Sequence, residues 1–458
     1  MDRFCHHCDE FSRAALVRRG AAEAGRGLPA IEQGMPLPAG TGLDRRSFIA
    51  RSFGLALSVY GLGKLGLFEE GIARAASGPA QPVLLSVFLP GGTDSLSVLY
   101  PALDPQYRKL RPKLALDAAA GPAFSEDTRL HWHPSLNPVA TLHGEGKVSV
   151  LPAVGYTHPD QSHFTSRHFW EVGATDAGLT SGWLGRYLDR TGTADNPLQG
   201  LSLDYQLQPA LASTKVPVAS VAAPDEYTFW APGVWGEVED RMLDALAPLG
   251  ARRPDPFLNQ AAFATAQSDR LRRQLAPFAQ NSGNGYGSPV PYPDVDDSFP
   301  HQLAGLAAMI AAGLPLRCVA ITAPGEYDTH SDQPQALADG LDVTARSLFS
   351  FQRDLEARGL ADRVLTLVWS EFGRRAEENG SDGTDHGAAG TAFLIGTRAR
   401  GKMIGEFPGV TNLDDDGNLR ATSDFRGVYC SLLEQWLNED AAAVIPGAGS
   451  FSRSALLK

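Results

Sequence analysis

Residues 364–387 read VLTLVWSEFGRRAEENGSDGTDHG. The stretch opens with an apolar run bounded by Asp362 and Glu371 and continues through a polar loop, AEENGSDG, to Thr384-Asp385-His386-Gly387. A run of this length reads as a strand buried on both faces, the kind found inside parallel sheets. In open α/β sheets, ligands bind beyond the carboxyl ends of such strands. Glu371, Arg374, Asp385 and His386 therefore fall where chemistry is expected. One carboxylate after one strand is ordinarily just solvated, so a site requires other strands that end the same way.

Three do. PVLLSVFLPGGTDSLSVLYP (82–101) reads as a buried strand, a Gly-Gly turn and a helix start, with Asp94 at the strand's end. Gly91 and Gly92 would let the backbone come close to a ligand. Asp94 reads equally as a helix N-cap. KVSVLPAVG (147–155) is a second buried strand, and His158, Asp160, Ser162, His163, Thr165, Arg167 and His168 crowd behind it. Ser162 stands where loop becomes helix, a place that favours negative charge and suits a hydroxyl nucleophile. Its plainer role is again an N-cap. PLRCVAITAP is a third strand, followed by Asp328 and His330, two metal-ligand residue types in close spacing.

Around these strands the pattern predicts helices over 133–142, 335–358 and 422–437, and an apolar helix in SFPHQLAGLAAMIAAG. AAGTAFLIG after His386 reads as a further strand. Residues 178–300 are less regular and read as a helical cap or insertion over the sheet, with PVASVAAP readable as a strand. NQAAFATAQSDRLRRQLAPF is an amphipathic helix within it.

The chain has 458 residues, 43% hydrophobic and 20% charged, with a formal net charge of -12. This is globular composition, and an acidic body argues against a non-specific nucleic-acid binder. Near the amino end, Asp44-Arg45-Arg46-Ser47-Phe48 precedes a mildly apolar run broken by Lys64, then Ala73 and Ala75 in A-x-A spacing. Paired arginines, a weak apolar region and a small-residue cleavage site resemble a twin-arginine (Tat) export signal over 44–76. The expected location is then periplasmic or extracellular, with the Tat machinery as a partner. Residues 1–43 read as a leader extension. Cys5-His6-His7-Cys8 within it is either half of a metal site or part of a disordered leader. Cleavage after Ala75 would leave only Cys318 and Cys430, which make no disulfide framework.

The twin-arginine leader, FLPGGTDSLSVLYP, SHFTSRHFWE, EYDTHSDQ, VWSEFGRRAEENGSDGTDHGAAG and TSDFRGVY, in that order, resemble the DUF1501 family along nearly the whole chain. That family is grouped with the alkaline phosphatase-like superfamily of sulfatases, phosphodiesterases and cofactor-independent phosphoglycerate mutases. The resemblance implies a three-layer α/β/α sandwich, alkaline phosphatase-like, over 77–458, with a divalent metal, zinc or manganese, at the strand ends. Asp94 matches the first-strand metal Asp. Ser162 matches the nucleophile ahead of a helix ending at Gly173. Asp328, His330 and His386 resemble one metal centre, three ligands with a position left open. The superfamily ends its central strand in Ser-Asp-His-Gly; here it is Ser370-Glu371-Phe372-Gly373. Glu371 can replace an Asp ligand but Phe372 cannot replace His, and Phe372 should face the core rather than the site, because strand neighbours alternate. Asp385-His386 is an alternative pair for the second centre.

Two functions follow as expectations. One is an exported metal-dependent hydrolase of phosphate, sulfate or related esters, with Ser162 or water as nucleophile and Arg374 or Arg167 clamping a small anionic ester substrate. The other is a non-catalytic extracytoplasmic binding or assembly protein, partnered by an exported DUF1800 protein, a frequent neighbour of the family.

Overall fold

In chain order the strands of the central sheet and of the hairpin beside the site are β1 (Val59–Tyr60), β2 (Val83–Phe88), β3 (Val148–Gly155), β4 (Gly200–Ser202), β5 (Val218–Ser220), β6 (Cys318–Thr322), β7 (Val364–Trp369), β8 (Arg374–Glu378), β9 (Thr384–His386), β10 (Gly390–Ile395) and β11 (Ser423–Asp424). The main helices are α1 (Asn137–Gly144), α2 (His163–Val172), α3 (Trp183–Thr191), α4 (Asn259–Leu275), α5 (Phe299–Ala311), α6 (Gln333–Ala357) and α7 (Phe425–Gln435). These come from a computed structural model that describes residues 59–60, 81–227, 241, 244–245, 259–278 and 282–458. Cys5, Cys8 and all of the 44–76 signal segment except Val59–Tyr60 lie outside the described residues. Among the described residues, no helix is long and apolar enough to cross a membrane.

Nine strands form one sheet in the order β1-β5-β4-β6-β2-β7-β10-β3-β11. β2 runs parallel to both β6 and β7, with Val87 opposite Ile321 and Val368. β10 runs antiparallel to β7 and to β3. The reversal at β10 fixes the site's geography. The carboxyl ends of β2, β3, β6 and β7 share one edge of the sheet. The segment entering β10, which carries Asp385 and His386, arrives at the same edge.

Every residue of β2, β3, β7 and β10 is buried. This follows from covering the sheet on both faces, and it explains why these strands read as near-continuous apolar runs. Side chains alternate across the sheet. Val83, Leu85, Val364 and Val368 face one core with Leu142 of α1, Leu303 and Leu306 of α5, and Leu341 and Leu348 of α6. Leu84, Leu365, Leu367 and Trp369 face the other, with Trp170 of α2, Trp183 and Leu184 of α3, and Leu432 and Leu433 of α7. The architecture is thus a three-layer α/β/α sandwich. Each such apolar side chain, fully buried, stabilises the fold by roughly 1.5–3 kcal/mol.

Two expectations need correction. Residues 178–300 are not solely a helical cover, because β4 and β5 extend the central sheet by parallel pairing next to β6. The polar segment after Glu371 is an antiparallel hairpin of β8 and β9 rather than a plain loop, with Arg374 opposite His386. Asn379 closes its turn by accepting from the N–H groups of Ser381 and Gly383.

Candidate metal centre

Four groups converge at the sheet edge. Asp328 follows β6, His163 is the first residue of α2, His330 lies in the loop after Asp328, and His386 ends β9. His163, Asp328 and His386 each place a donor atom within 4.8 Å of the others. His163 Nε2 lies 3.3 Å from Asp328 Oδ2. His386 Nε2 lies 3.3 Å and His330 Nε2 3.2 Å from Asp328 Oδ1. The His330 and His386 Nε2 atoms are 2.9 Å apart.

The opposite nitrogen of each ring faces an acceptor. His163 Nδ1 is 2.8 Å from Glu371 Oε1. His386 Nδ1 is 2.8 Å from the Gln161 carbonyl. His330 Nδ1 is 3.2 Å from Asp385 Oδ1. An acceptor at Nδ1 sets the proton there and leaves the Nε2 lone pair pointing at Asp328. Metal-binding imidazoles are oriented in this way by carboxylates and carbonyls. Zinc–nitrogen bonds of about 2.0–2.1 Å in a tetrahedron put neighbouring donor atoms about 3.3 Å apart. The donor set and its spacing therefore fit a divalent ion of the zinc type.

Burial alone would raise the Asp328 pKa, but the His163, His330 and His386 imidazoles around it and the Arg374 guanidinium hold it far below the usual carboxylate range. Glu371 is fully buried, which opposes its charge; His163 and the surrounding N–H groups outweigh this and keep it ionised. Those groups include the Gly91 and Gly92 amides, at 2.9 Å and 3.1 Å from its carboxylate oxygens. Arg374 takes the other side of the same turn, donating to the Gly92 carbonyl at 2.8 Å and to the Gly91 carbonyl. The turn is thus clamped between a carboxylate and a guanidinium. Gly91 and Gly92 have φ of +116° and +77°, and a Cβ there would stand 2.4 Å from the Asp328 nitrogen or 2.2 Å from the Phe372 ring. The two glycines admit other parts of the protein, not a ligand as their sequence suggested.

Several expected roles change on these grounds. Glu371 was read as a ligand of a second centre; it orients His163 instead. Asp94 caps the helical turn Ser95–Val98 and forms a fully buried pair with Arg111, with Oδ1 2.8 Å and Oδ2 2.5 Å from the guanidinium nitrogens. Gln333 donates to Asp94 Oδ2 at 2.7 Å and accepts from Thr384 Oγ1 at 2.6 Å, tying that pair to β9. Asp94 and Glu371 therefore do not meet over one ion. Arg374 is fully buried and donates to Asp328 and to backbone carbonyls, including that of Thr384 at 2.8 Å, so it is not placed to clamp a substrate. Asp385 backs His330 from a half-exposed position.

Phe372 was expected to turn away from the site. Its buried ring instead lies 5.0 Å from the His163 ring centroid and 4.9 Å from that of His386. Ser162 accepts from the Thr165 N–H at 3.5 Å and caps α2. Arg167 pairs with Glu171 at 2.7 Å and lies over the Phe88 ring. His330 and His386 both lie against Asp328, and the three residues whose donor atoms cluster, among the described residues, are His163, Asp328 and His386. His163 and Arg111 were not singled out. His163 was hidden in the crowd behind β3, where only its place as the first helical residue after Ser162 distinguished it from His158 and His168.

The search of solved structures finds distant likenesses. A protein of the alkaline phosphatase superfamily from Vibrio parahaemolyticus is 8% identical, covers 82% of this chain and 68% of its own, and gives a TM-score of 0.32. The C-terminal periplasmic domain of EcEptC from Escherichia coli, in complex with zinc, is 9% identical over 81% of this chain and 88% of its own, with a TM-score of 0.35. A phosphonate monoester hydrolase from Silicibacter pomeroyi is 13% identical over 81% and 75%, with a TM-score of 0.32. No curated protein matches the chain in sequence. One family profile does, across residues 131–422. The chain that builds this histidine–aspartate centre belongs to DUF1501, a family described as proteins of unknown function.

Proposed function

We propose that the protein is an exported hydrolase of small anionic esters that works with one divalent metal, zinc or manganese. The observation that carries this reading is the convergence of three imidazole Nε2 atoms on Asp328, each ring backed at Nδ1. A divalent cation held by His163, Asp328 and His386, beside His330, supplies Lewis-acid polarisation of an ester oxygen. The protein's own groups set the stage for it. Glu371 and the Gln161 carbonyl hold two rings in the metal-binding tautomer. Arg374 balances the charge of Asp328. Phe372 packs against two of the rings and keeps water from their far sides.

The test joins composition to turnover. Protein purified without chelator should carry about one equivalent of metal per chain by elemental analysis. It should hydrolyse at least one of p-nitrophenyl phosphate, bis-p-nitrophenyl phosphate and p-nitrophenyl sulfate. His163→Ala and His386→Ala should lose both metal and turnover. A metal-free wild type would overturn the reading. The reading includes export through the twin-arginine pair, so Arg45→Lys with Arg46→Lys should leave the precursor in the cytoplasm. Normal processing of that double variant would overturn the export part.

A second reading, a non-catalytic binding protein, is favoured by two observations. Ser162 is engaged as a helix cap, and Arg374 is buried. Full metal occupancy without turnover on any of the three esters would select it.

A further inference from the structure

Four donor groups close a tetrahedral site, whereas a catalytic one keeps a position open. The four are not held alike. The His163 side chain is 5% exposed and rests on Glu371, which is 0% exposed. His386 is 16% and Asp328 9% exposed, and the carbonyl behind His386 belongs to the backbone ahead of α2. His330 is the most open, at 26%, and the carboxylate behind it, Asp385, is 56% exposed.

The backbone of His330 is fixed all the same. Its N–H donates to the Asp328 carbonyl at 3.0 Å and its carbonyl accepts from Asn379 Nδ2 at 2.9 Å. Asn379 Nδ2 also reaches Asp385 Oδ1 at 3.2 Å. A Cβ on Gly383 would stand 2.3 Å from the His330 carbonyl carbon, so the hairpin turn is pressed against this loop. Any movement of His330 is therefore a rotation of its side chain, with Asp385 at hand to keep its Nδ1 hydrogen bond.

We propose that His330 is the exchangeable ligand of this centre. It completes the coordination sphere of the resting protein and yields its place to an oxygen of an anionic oxoester or oxoanion. His163, Asp328 and His386 are the anchoring ligands. With a divalent ion bound, one dative bond from Nε2 would break and one from the anion's oxygen would form, with no change in charge on the imidazole. The proposal rests on the metal-centre reading above, but not on turnover.

The experiment uses the full chain loaded with Co²⁺, whose visible spectrum reports coordination, and inorganic phosphate as the probe. Wild-type protein should show a saturable change of the Co²⁺ bands on phosphate titration. His330→Ala should bind Co²⁺ within about tenfold of wild type, whereas His163→Ala and His386→Ala should lose more than about a hundredfold. The His330→Ala spectrum without phosphate should already differ from wild type, and phosphate should bind it more tightly, since no ligand has to be displaced. Thermal unfolding of each metal-free variant separates lost metal from lost fold, and His330→Asn, with a small polar side chain, provides a second variant.

Equal loss of Co²⁺ in His330→Ala and His163→Ala, in folded protein, would make His330 an anchoring ligand and overturn the proposal. A wild-type spectrum indifferent to phosphate would overturn it too. Failure of wild type to bind Co²⁺ at all would defeat the metal-centre reading itself. Absence of ester turnover would defeat only the hydrolase reading.

Discussion

Asp94 and Arg111 are both fully removed from solvent, and each answers the other's charge. Breaking such a pair leaves a buried charge without compensation, at a cost of about 3–5 kcal/mol. Arg111→Met should lower urea stability by that amount, and adding Asp94→Leu should restore most of it, whereas Asp94→Asn should leave metal content unchanged. Loss of metal in Asp94→Asn would return Asp94 to the ligand set. His133 makes a second residue-level prediction. Burial pushes its imidazole down to about 4, against a smaller opposing influence of Asp94. Its Nδ1 accepts from the Ser135 N–H at 3.2 Å, which requires the neutral ring. The unfolded chain, with a pKa near 6.5, binds more protons between these values, so stability is full above about pH 6.5 and falls as pH drops toward 4. The loss amounts to roughly 3 kcal/mol. His133→Asn should flatten that part of the stability–pH curve measured by urea unfolding.

Among the elements, α2 separates two uses of one residue. As the N-cap of this helix, Ser162 is worth about 1 kcal/mol, so Ser162→Ala should lower stability by that much and leave the metal in place. If it were also the nucleophile, the same variant would abolish turnover in metal-loaded protein. The chain announced its long strands clearly. β2, β3 and β7 are near-continuous apolar runs because both faces are covered, and each leads to the sheet edge where the site forms. β4 was not legible, since Gly200–Ser202 is too short to establish a period and is a strand only because β6 lies beside it. Asp328, His330 and His386 could be read as candidate ligands from their places after strands. The division of labour between ligand and orienting group could not. It depends on which carboxylate meets a ring nitrogen, and Glu371 meets His163 from 208 residues away. Arg111 is equally silent in sequence, an ordinary Arg after a helix whose partner is chosen by the fold.

On the scale of the molecule, two apolar cores sandwich a sheet whose edge holds the metal groups, and metal bound only by the folded state adds to stability. Chelation should lower unfolding free energy by about 3–4 kcal/mol if the ion is present at 100–1,000 times its dissociation constant. The drop should vanish in His163→Ala, as followed by thermal unfolding with and without EDTA. The placement of β2 carries one more implication, this time for the order of events. Its neighbours are β6 and β7, and the Gly91 amide reaches its Glu371 acceptor across 280 residues of chain. Loop closure on this scale is slow, because non-local pairing must wait for its partner. During synthesis β2 has no complete berth until most of the polypeptide has left the ribosome. His163 likewise has no Glu371 to set its tautomer until then. A nascent or truncated chain ending before β7 would therefore lack both the middle of the sheet and a competent set of imidazoles, so metal retention would report that the polypeptide had been finished.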